Sequence, residues 1–570
     1  MLLWNLYFLI KFGLHFAGQL TLSPLWNLGL FALLIATNPA AYQNKQLMKV
    51  LRYLVFTGPA IALLLHELGL VVSLALVDQI KALFGFSLDY LWELLKRTIQ
   101  PWMLWSALLG FMVVRVLDRY IRISSWVGFG LVCILGIQTL PFIQQQTQAS
   151  KTAAVLEPQA QTRENLSPAE LLALGQLDFQ KLRVARDQES QTKLRDNAYE
   201  GAGPGAVLAG FFDRQRTIAL APFSPVASPD FDVIVLQICS LSWADLQYAK
   251  QSQHPAIRQA DFVFENFNSA TSYSGPAAIR LLRGKCGQTT HDALYSAANN
   301  SCMLFEQLRN VGFEVEMGLN HDGRFQDFSK LVKTNLGGKA TELVAHDEVP
   351  AGVQAFDGSR VGRDGDYLRA WWNKRVQQSG PAVAYYYNSI TLHDGNRLPN
   401  SNLNSLNSYP LRLERMLNDI QSVLGEIRRS ERKALVVVVP EHGAGLTGEF
   451  GQLVGLRELP TPAITKVPVF GYWIAPGYTP TSTGPVTVKQ SVSYTALSEL
   501  LARWLAQPAE QQQKPTWPVL LSDLPDTRFV SQQGNITVME SQGSYWIKAP
   551  GAAWKMLGPV QNIAASSQGG

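Results

Sequence analysis

The most informative stretch of the sequence is VVVVPEHG, which runs from Val436 to Gly443. Its four consecutive valines predict a fully buried strand, of the kind found inside a parallel sheet. Pro440 ends the hydrogen bonding of that strand, and Gly443 allows the backbone to turn tightly. Glu441 and His442 therefore lie at the carboxyl edge of a central strand, where open α/β sheets form their sites. This pair suits a zinc ion, and an ordinary strand end with two exposed polar residues is the alternative.

Strands and helices alternate around this stretch from about Ile218 onward. Strands separated by helical segments, such as the one over roughly 409–429, predict an α/β domain with a mostly parallel central sheet. The end of the chain, from Arg528, has short strand-like runs with glycines between them and predicts a small antiparallel meander. The five predicted buried strands are FDVIVLQICS (231–240), VGFEVEMGLN (311–320), GPAVAYYYNSI (380–390), KALVVVVP (433–440) and VPVFGYWIAP (467–476).

Polar and metal-ligating side chains follow several of these strands. The first strand runs into Cys239 and Ser240, the third runs through Asn388 towards His393, and the fourth ends in the Glu-His pair described above. Because the carboxyl ends of parallel strands meet at one edge of a sheet, we expect these side chains to share a site. Cys239 would then be a thiolate ligand of zinc. The alternative is a small buried hydrophobic side chain, a common role of free cysteine.

A second feature with possible chemistry is SATSYSGPAAIR, residues 269–280, in which a Ser/Thr cluster precedes a predicted helix. Ser274 lies just before that helix. Backbone N–H groups at a helix start attract anions, including phosphate. A serine at such a position can attack phosphorus if a metal lowers its pKa. The alternative is a structural one, since serine is a favoured helix N-cap.

The first 140 or so residues are much more apolar than the rest of the 570-residue chain and predict a bundle of transmembrane helices. Lysine and arginine cluster between the second and third spans and between the fourth and fifth, which makes those loops cytoplasmic and exports everything after the fifth span. We therefore predict a membrane domain of about five helices at 1–143, a periplasmic linker with a helix at 144–205, and a periplasmic zinc-dependent catalytic domain at 206–570. The predicted spans are Leu2–Gly18, Leu22–Thr37, Tyr53–Val77, Trp102–Leu117 and Trp126–Phe142.

Charge and cysteine usage agree with this topology. The formal net charge of +5 is small for the chain length, and the soluble part has no dense Lys/Arg stripe, so we expect no nucleic-acid partner. Of four cysteines, Cys133 lies in the fifth predicted span, while Cys286 and Cys302 flank a short polar segment of the exported part. An oxidising compartment would allow that pair to bond. Cys239 is left unpaired, which the zinc site would explain.

These features resemble the phosphoethanolamine transferases of the alkaline phosphatase superfamily, and more closely the cellulose phosphoethanolamine transferases, the G subunits of bacterial cellulose synthesis (Bcs) systems. The strings LQICSLSWADL, NFNSATSYSGPAAIRLLRGKCGQTTH, LHDGN and VVVVPEHG carry this resemblance, which extends from the spans to the C-terminus. Lipid-modifying relatives have an acidic residue where this chain has Cys239 and threonine where it has Ser274, and many members have aspartate where it has Glu441. These departures match the cellulose branch and argue against lipid A as acceptor.

The resemblance implies an alkaline-phosphatase/sulfatase-like α/β/α domain with one zinc ion. The implied ligands are Cys239, Glu441, His442 and Ser274, and Ser274 is also the implied nucleophile. The resemblance further implies that His393 assists near the leaving or entering oxygen.

Three further assignments come from the same comparison of motifs. Cys286 and Cys302 are implied to form a disulfide. Arg457 and Tyr273 are weaker candidates for holding the phosphate, because the guanidinium fork of arginine suits phosphate oxygens. Either residue could instead be a surface or packing residue.

The implied reaction is a double displacement. Ser274 attacks phosphatidylethanolamine, diacylglycerol leaves, and the phosphoethanolamine-serine intermediate passes its group to a glucose hydroxyl of nascent cellulose, with O6 favoured. The implied location is the bacterial inner membrane, among the subunits of the cellulose synthase complex, with the catalytic domain in the periplasm. The alternatives are a zinc phosphodiesterase or sulfatase-like hydrolase that uses water, and a non-catalytic scaffold of the synthase. The joint presence of the four implied zinc ligands argues against the scaffold.

Overall fold

The computed structural model describes residues 2–16, 20, 22–37, 45–67, 85–98, 101–149, 203–225, 227–449, 452, 454–480 and 484–559. Contacts divide the chain into one unit of residues 1–81 and 99–193, and a second of residues 82–98 and 194–570.

The helices are α1 (Leu2–Phe16), α2 (Pro24–Ala36), α3 (Lys45–Glu67), α4 (Leu88–Thr98), α5 (Pro101–Leu117), α6 (Ile123–Ala149), α7 (Pro204–Thr217), α8 (Trp243–Tyr248), α9 (Pro255–Arg258), α10 (Ser274–Leu282), α11 (Leu304–Asn310), α12 (Phe328–Asn335), α13 (Asp364–Val376), α14 (Ser405–Arg429), α15 (Pro462–Thr465), α16 (Tyr494–Leu505), α17 (Ala509–Gln513) and α18 (Trp517–Leu520).

The strands form three sheets in the second unit. They are β1 (Asp232–Ile238), β2 (Phe262–Asn268), β3 (Glu314–Leu319), β4 (Ala351–Gln354), β5 (Arg360–Gly362), β6 (Val383–Ser389), β7 (Ala434–Pro440), β8 (Lys466–Ile474), β9 (Val486–Val488), β10 (Val530–Gln533), β11 (Ile536–Ser541), β12 (Ser544–Lys548) and β13 (Lys555–Pro559).

The described residues of the first unit are mainly helical, and each of the five predicted spans overlaps one of these helices. Its buried core includes Phe8, Leu34 and Leu131, and Lys11, which interrupts the first apolar segment, forms a buried ion pair with Glu67. Among the described residues, none of the helices combines the length and apolar character that crossing a membrane requires. The transmembrane assignment of these segments therefore stays a prediction.

Two predicted features lie wholly or partly outside the described residues. The end of the third predicted span, from residue 68, is one, and the linker helix predicted from Ser167 towards Arg186 is the other. Helix α7 begins at Pro204, close to the predicted start of the catalytic domain, because proline is well suited to the first turn of a helix. Its Phe211 packs against Val530 and Met539 of the C-terminal strands.

The central sheet of the second unit has seven strands in the order β3-β6-β1-β7-β8-β2-β9. Strands β3, β6, β1 and β7 are parallel neighbours, β8 is antiparallel to both β7 and β2, and β9 is parallel to β2. Six strands thus share one direction, which confirms the predicted mostly parallel sheet. Strand β8 is the one strand of this sheet that runs in the opposite direction, and the described part of its connection to β7 includes the four-residue helix α15.

Alternate residues of the central strands face opposite layers of helices. In β1, Val233 and Val235 lie in the core under α10, α11 and α16, whereas Ile234 and Leu236 lie in the core under α13 and α14. The sequence did not predict β2, FVFENFN, since the half-buried pair Glu265-Asn266 interrupts its apolar run at an irregularity in the pairing with β8. The C-terminal antiparallel sheet, β10-β11-β12-β13, was predicted and is confirmed.

Candidate metal centre and active site

The candidate ligands come from three strand ends at one edge of the central sheet. Cys239 follows β1, Glu441 and His442 follow β7, and Ser274 opens α10 after β2. Strand β1 pairs with β7 and with β6, so the loops after these strands are neighbours. Backbone hydrogen bonds join the loops: the Glu441 amide donates to Ile238 O (2.8 Å), and the Leu241 amide donates to His442 O (2.6 Å).

Four side-chain groups converge at this edge. Cys239 Sγ lies 3.4 Å from Ser274 Oγ and 3.9 Å from His442 Nε2. Ser274 Oγ lies 3.4 Å from the same imidazole nitrogen, and Glu441 Oε2 lies 3.9 Å from it. The ligand atoms of Cys239, Glu441 and His442 all lie within 4.8 Å of one another, and these three side chains are buried. The structure therefore brings together the residues that the sequence placed in one site.

The hydrogen bonds around these groups leave ligand atoms free. His442 Nδ1 lies 2.9 Å from Gly443 O, and because a carbonyl only accepts, Nδ1 carries the proton and Nε2 keeps its lone pair. Asn388 Nδ2 donates to Glu441 Oε1 (2.6 Å). Glu441 Oε2 is buried and has no hydrogen-bond partner among the described residues. An unsatisfied buried carboxylate oxygen is costly, so its position beside a free imidazole nitrogen and a thiol suits a cation.

Burial has the largest effect on the pKa values of His442 and Cys239. Burial and the positive charge of Arg457 hold the pKa of His442 well below its usual value, so the imidazole is neutral near pH 7. Burial, with the neighbouring Glu441, raises the pKa of the Cys239 thiol to about 12. A bound divalent cation favours the thiolate by its charge. A sulfur, a nitrogen and a carboxylate oxygen form a donor set that fits zinc.

Ser274 is not a helix cap. Helix α10 begins at Ser274 itself, its N-cap position is Tyr273, and no side chain caps it. The sequence had placed Ser274 just before the helix, where a capping role was the structural alternative. Its hydroxyl contacts Cys239 and His442 instead, so the capping interpretation is wrong.

Arg457 joins the predicted metal centre to His393. Its Nη1 donates to Ser240 Oγ (2.8 Å), and its Nη2 lies 3.3 Å from His393 Nε2. Ser240 Oγ in turn lies 3.3 Å from Cys239 Sγ. The guanidinium also lies over the ring of Tyr273, 5.9 Å from its centroid. Arg457 is therefore at the site and not on a remote surface.

The ring of Tyr273 and the imidazole of His393 are both fixed by neighbours. The hydroxyl of Tyr273 donates to Glu458 Oε1. His393 Nδ1 donates to Asp394 O (2.6 Å), which leaves Nε2 as an acceptor. Burial and the charge of Arg457 lower the pKa of His393 to about 3, so this imidazole is neutral near pH 7.

The other two cysteines of the second unit are paired with each other. Cys286 and Cys302 are joined by a disulfide. Cys133 is exposed, and Cys239 is a free buried thiol.

Sequence reasoning left two residues of the site without a role. Ser240 was noted only as the residue after Cys239. Its backbone is left-handed (φ 60°), and its hydroxyl accepts a hydrogen bond from Arg457. A serine at this position does not by itself predict that conformation. Asn388 was noted only as a polar residue after a strand. Its contact with Glu441 follows from the β6-β1-β7 strand order, which periodicity alone does not give.

Two family models match the chain. The model described as "Cellulose biosynthesis protein BcsG N-terminal domain" matches residues 4–136, and the "Cellulose biosynthesis protein BcsG C-terminal domain" model matches residues 186–554. This chain belongs to the BcsG family. The cellulose biosynthesis protein BcsG of Escherichia coli (strain K12) is 34% identical over 553 residues, which cover 97% of this chain and 95% of that protein. The BcsG of Salmonella typhimurium (strain LT2) is also 34% identical, over 554 residues with the same coverage.

Two solved structures resemble this chain at lower sequence identity. A protein in the alkaline phosphatase superfamily from Vibrio parahaemolyticus is 11% identical, with 59% of this chain and 81% of that chain covered and a TM-score of 0.43. The C-terminal periplasmic domain of phosphoethanolamine transferase EptC from Campylobacter jejuni is also 11% identical, with 50% and 95% covered and a TM-score of 0.34. At these values the two likenesses carry no argument about function.

In this member of the BcsG family, the four candidate ligands all lie within the C-terminal match. Helix α4 lies in the N-terminal match, yet its contacts place it in the second unit with the candidate site.

Proposed function

We propose that this protein transfers phosphoethanolamine from phosphatidylethanolamine to glucose hydroxyls, with O6 favoured, of nascent cellulose. The transfer passes through a covalent phosphoethanolamine-serine at Ser274, in a site that holds one zinc ion. Membership of a cellulose biosynthesis family supports the acceptor class. The phosphoethanolamine donor rests on the sequence motifs described above.

One observation carries the proposal. A serine hydroxyl at a helix start lies 3.4 Å from both a buried thiol and a buried imidazole nitrogen. A purely structural serine does not need two potential ligands beside it, whereas a metal-activated nucleophile does. Cys239, Glu441, His442 and Ser274 would hold the zinc. When bound, zinc lowers the pKa of the serine hydroxyl and stabilises negative charge that develops on the phosphoryl oxygens.

In the first displacement, Ser274 Oγ forms a bond to phosphorus as the bond to the glycerol oxygen breaks. The start of α10 directs backbone N–H groups towards the reacting phosphate. Arg457 offers its guanidinium, which can hold two phosphate oxygens when it exchanges its contacts with Ser240 and His393 for them. Diacylglycerol leaves, and its oxygen takes up the proton that the serine has lost.

In the second displacement, a glucose hydroxyl attacks the same phosphorus and the bond to Ser274 breaks. His393 is the candidate base, because it is neutral near pH 7 and its Nε2 has a lone pair. The proton of the glucose hydroxyl ends on the serine, which restores the starting hydroxyl. An inner-membrane location, with this domain in the periplasm, would bring the donor lipid and the emerging polymer close to the site.

Product analysis with and without a glucan tests this function. The full chain in detergent, loaded with zinc, is incubated with phosphatidylethanolamine in the presence or absence of cello-oligosaccharide. We expect diacylglycerol release together with phosphoethanolamine attached to the glucan. Release of free phosphoethanolamine alone, unchanged by the glucan, would indicate the hydrolase. No diacylglycerol in either case, from a protein without bound metal, would indicate the scaffold.

A further inference from the structure

The segment between the third and fourth predicted spans contacts the candidate catalytic unit beside His393. We propose that this segment, residues 85–98, is a positioning element of the active site, and that Arg97 and Tyr90 hold His393 in place through Asp394. The inference rests on the proposed function, which gives His393 its role. The segment lies inside the predicted membrane domain, yet its contacts assign it to the second unit.

Asp394 is the residue on which the segment converges. The hydroxyl of Tyr90 donates to Asp394 Oδ2 (2.7 Å), and Arg97 donates from Nη1 to the same oxygen (2.9 Å) and from Nη2 to Oδ1 (3.2 Å). The hydroxyl of Ser405 donates to Oδ1 (2.8 Å). Burial raises the pKa of Asp394, but the charge and hydrogen bonds of Arg97 outweigh that effect and bring it to about 2. The carboxylate is thus charged, buried and held from three directions.

The backbone of Asp394 passes this restraint to His393. Asp394 O accepts the hydrogen bond from His393 Nδ1 (2.6 Å), and the amide of Gly395 donates to Ser405 Oγ (2.7 Å). A movement of Asp394 would therefore move the acceptor that fixes the imidazole and directs Nε2. Fixing the ring through the nitrogen that does not react is a general way to orient a catalytic histidine.

The segment also supports the face of the imidazole. The ring of His393 lies on that of Phe356, with centroids 4.5 Å apart. Phe86 and Tyr90 contact the same phenyl ring, at 5.5 Å and 6.4 Å between centroids. The amide of Ser87 donates to Phe356 O (2.9 Å). Removal of this segment would free the residue against which the imidazole packs.

The Arg97–Asp394 pair lies against the loop of Arg457 as well. A Cβ atom built on Gly455 would lie 2.7 Å from Arg97 Nη1 and 3.0 Å from Asp394 Oδ2, and Gly455 has a φ of +82°. Only glycine fits here without strain. Arg457 follows two residues later and contacts His393 Nε2, so the ion pair packs against the loop that leads to Arg457.

Glu93, which also pairs with Arg97, makes further contacts that hold α4 in place when Arg97 is removed. Glu93 forms an ion pair with Arg397 (2.7 Å) and accepts a hydrogen bond from the amide of Ser405 (3.2 Å). Arg397 also donates to Asp89 O (3.1 Å). We therefore expect Arg97→Ala to loosen Asp394 and leave the helix docked.

The test measures steady-state diacylglycerol release by the full chain in detergent, with phosphatidylethanolamine and cello-oligosaccharide. Arg97→Ala should lower kcat by about 10- to 100-fold with KM nearly unchanged, because misorienting a catalytic group costs rate and not binding. Arg97→Lys should recover part of the loss, since the charge remains. Lys96→Ala is the matched control, because Lys96 is exposed on the same helix, and it should equal the wild type.

A second background decides whether Arg97 acts through His393. In a His393→Ala protein, Arg97→Ala should cost less than about a further twofold, as residues that act through one another are not additive. Undiminished kcat in Arg97→Ala, or the same loss in both backgrounds, would overturn the inference. Zinc content and thermal unfolding show whether Arg97→Ala is folded. If it is not, Tyr90→Phe takes its place. We expect Tyr90→Phe to lower kcat several-fold, and an undiminished kcat or an equal loss in both backgrounds would again overturn the inference. A wild type that releases no diacylglycerol would instead contradict the proposed function itself.

Discussion

The position of one proton on His442 determines whether this site can bind a metal. Its Nδ1 donates to Gly443 O, and therefore Nε2 faces Cys239 and Ser274 with its lone pair free. Glu441 is oriented in a similar way, because Asn388 donates to one of its oxygens while the other has no hydrogen-bond partner among the described residues. In each of these two candidate ligands, one hydrogen bond to the atom that faces away from the site orients the atom that faces it.

The thiol of Cys239 should be essential for tight zinc binding. Cys239→Ser replaces a potential thiolate by a neutral hydroxyl, a poor zinc ligand. We expect the zinc affinity to fall by more than about 100-fold, since loss of a direct ligand should exceed the 10- to 100-fold cost of losing an outer partner. Metal analysis and competition with a chelator measure it. Cys133→Ser, at an exposed cysteine of the first unit, should bind zinc like the wild type; equal affinity in both variants would exclude Cys239 as a ligand.

Asn388 should increase the zinc affinity of the site although it is not itself a ligand. Asn388→Ala removes the hydrogen bond to Glu441 Oε1 and frees the carboxylate to rotate. We expect a loss of zinc affinity of about 10- to 100-fold, as for other partners that orient a ligand. Asn266→Ala, on β2 and half-buried, is the control and should have no effect. Unchanged affinity in Asn388→Ala would mean that Glu441 is either fixed by other groups or not a ligand.

Close packing, and not an unusual backbone conformation, explains why the loop after β7 has glycine at position 443. The sequence predicted that Gly443 permits a tight turn, but its φ is not positive. A Cβ atom there would instead lie 2.6 Å from Ser242 Oγ and 2.9 Å from Asp245 Oδ2. Asp245 Oδ2 also accepts the amide hydrogen bond of Ala444 (2.8 Å). The loops after β1 and β7 therefore meet at a point where only glycine fits.

Gly443→Ala tests this close approach. The added methyl group must push the two loops apart, and overpacking of this kind costs about 1–3 kcal/mol of folding stability. Because His442 precedes the glycine, zinc affinity should fall along with the unfolding free energy. Denaturant unfolding and metal titration measure the two effects. Gly380→Ala, where a Cβ atom meets nothing within 4 Å, should change neither. A Gly443→Ala protein as stable as the wild type would show that the loops are free to separate.

Residue patterns predicted the elements whose signal is local. Four valines and the residues after them place Glu441 and His442 at a strand end, and the parallel-sheet rule then brings Cys239 beside them. Strand β2 was missed because Glu265 and Asn266 break its pattern. The contact between Arg97 and Asp394 joins residues 297 positions apart, and no local pattern signals it.

The protein as a whole should act in the modification of cellulose and not in its synthesis. Cells that carry Ser274→Ala should still make cellulose, without its phosphoethanolamine groups, if this protein only decorates the polymer. Solid-state NMR of the extracted polymer measures this directly. Ser272→Ala, two residues earlier and also buried in the same segment, is the matched control and should retain the modification. Complete loss of cellulose in the Ser274→Ala strain would point to a structural role in the synthase.

We expect Ser274 to become covalently modified during the reaction. Mass spectrometry of the zinc-loaded full chain, after incubation with phosphatidylethanolamine and without acceptor, tests it most directly. We predict a phosphoethanolamine group on the peptide that contains Ser274, and its disappearance when cello-oligosaccharide is added. The group should be absent from Ser274→Ala and present in Ser272→Ala. Diacylglycerol release with no modification of Ser274, or modification of another residue, would show that Ser274 is not the nucleophile.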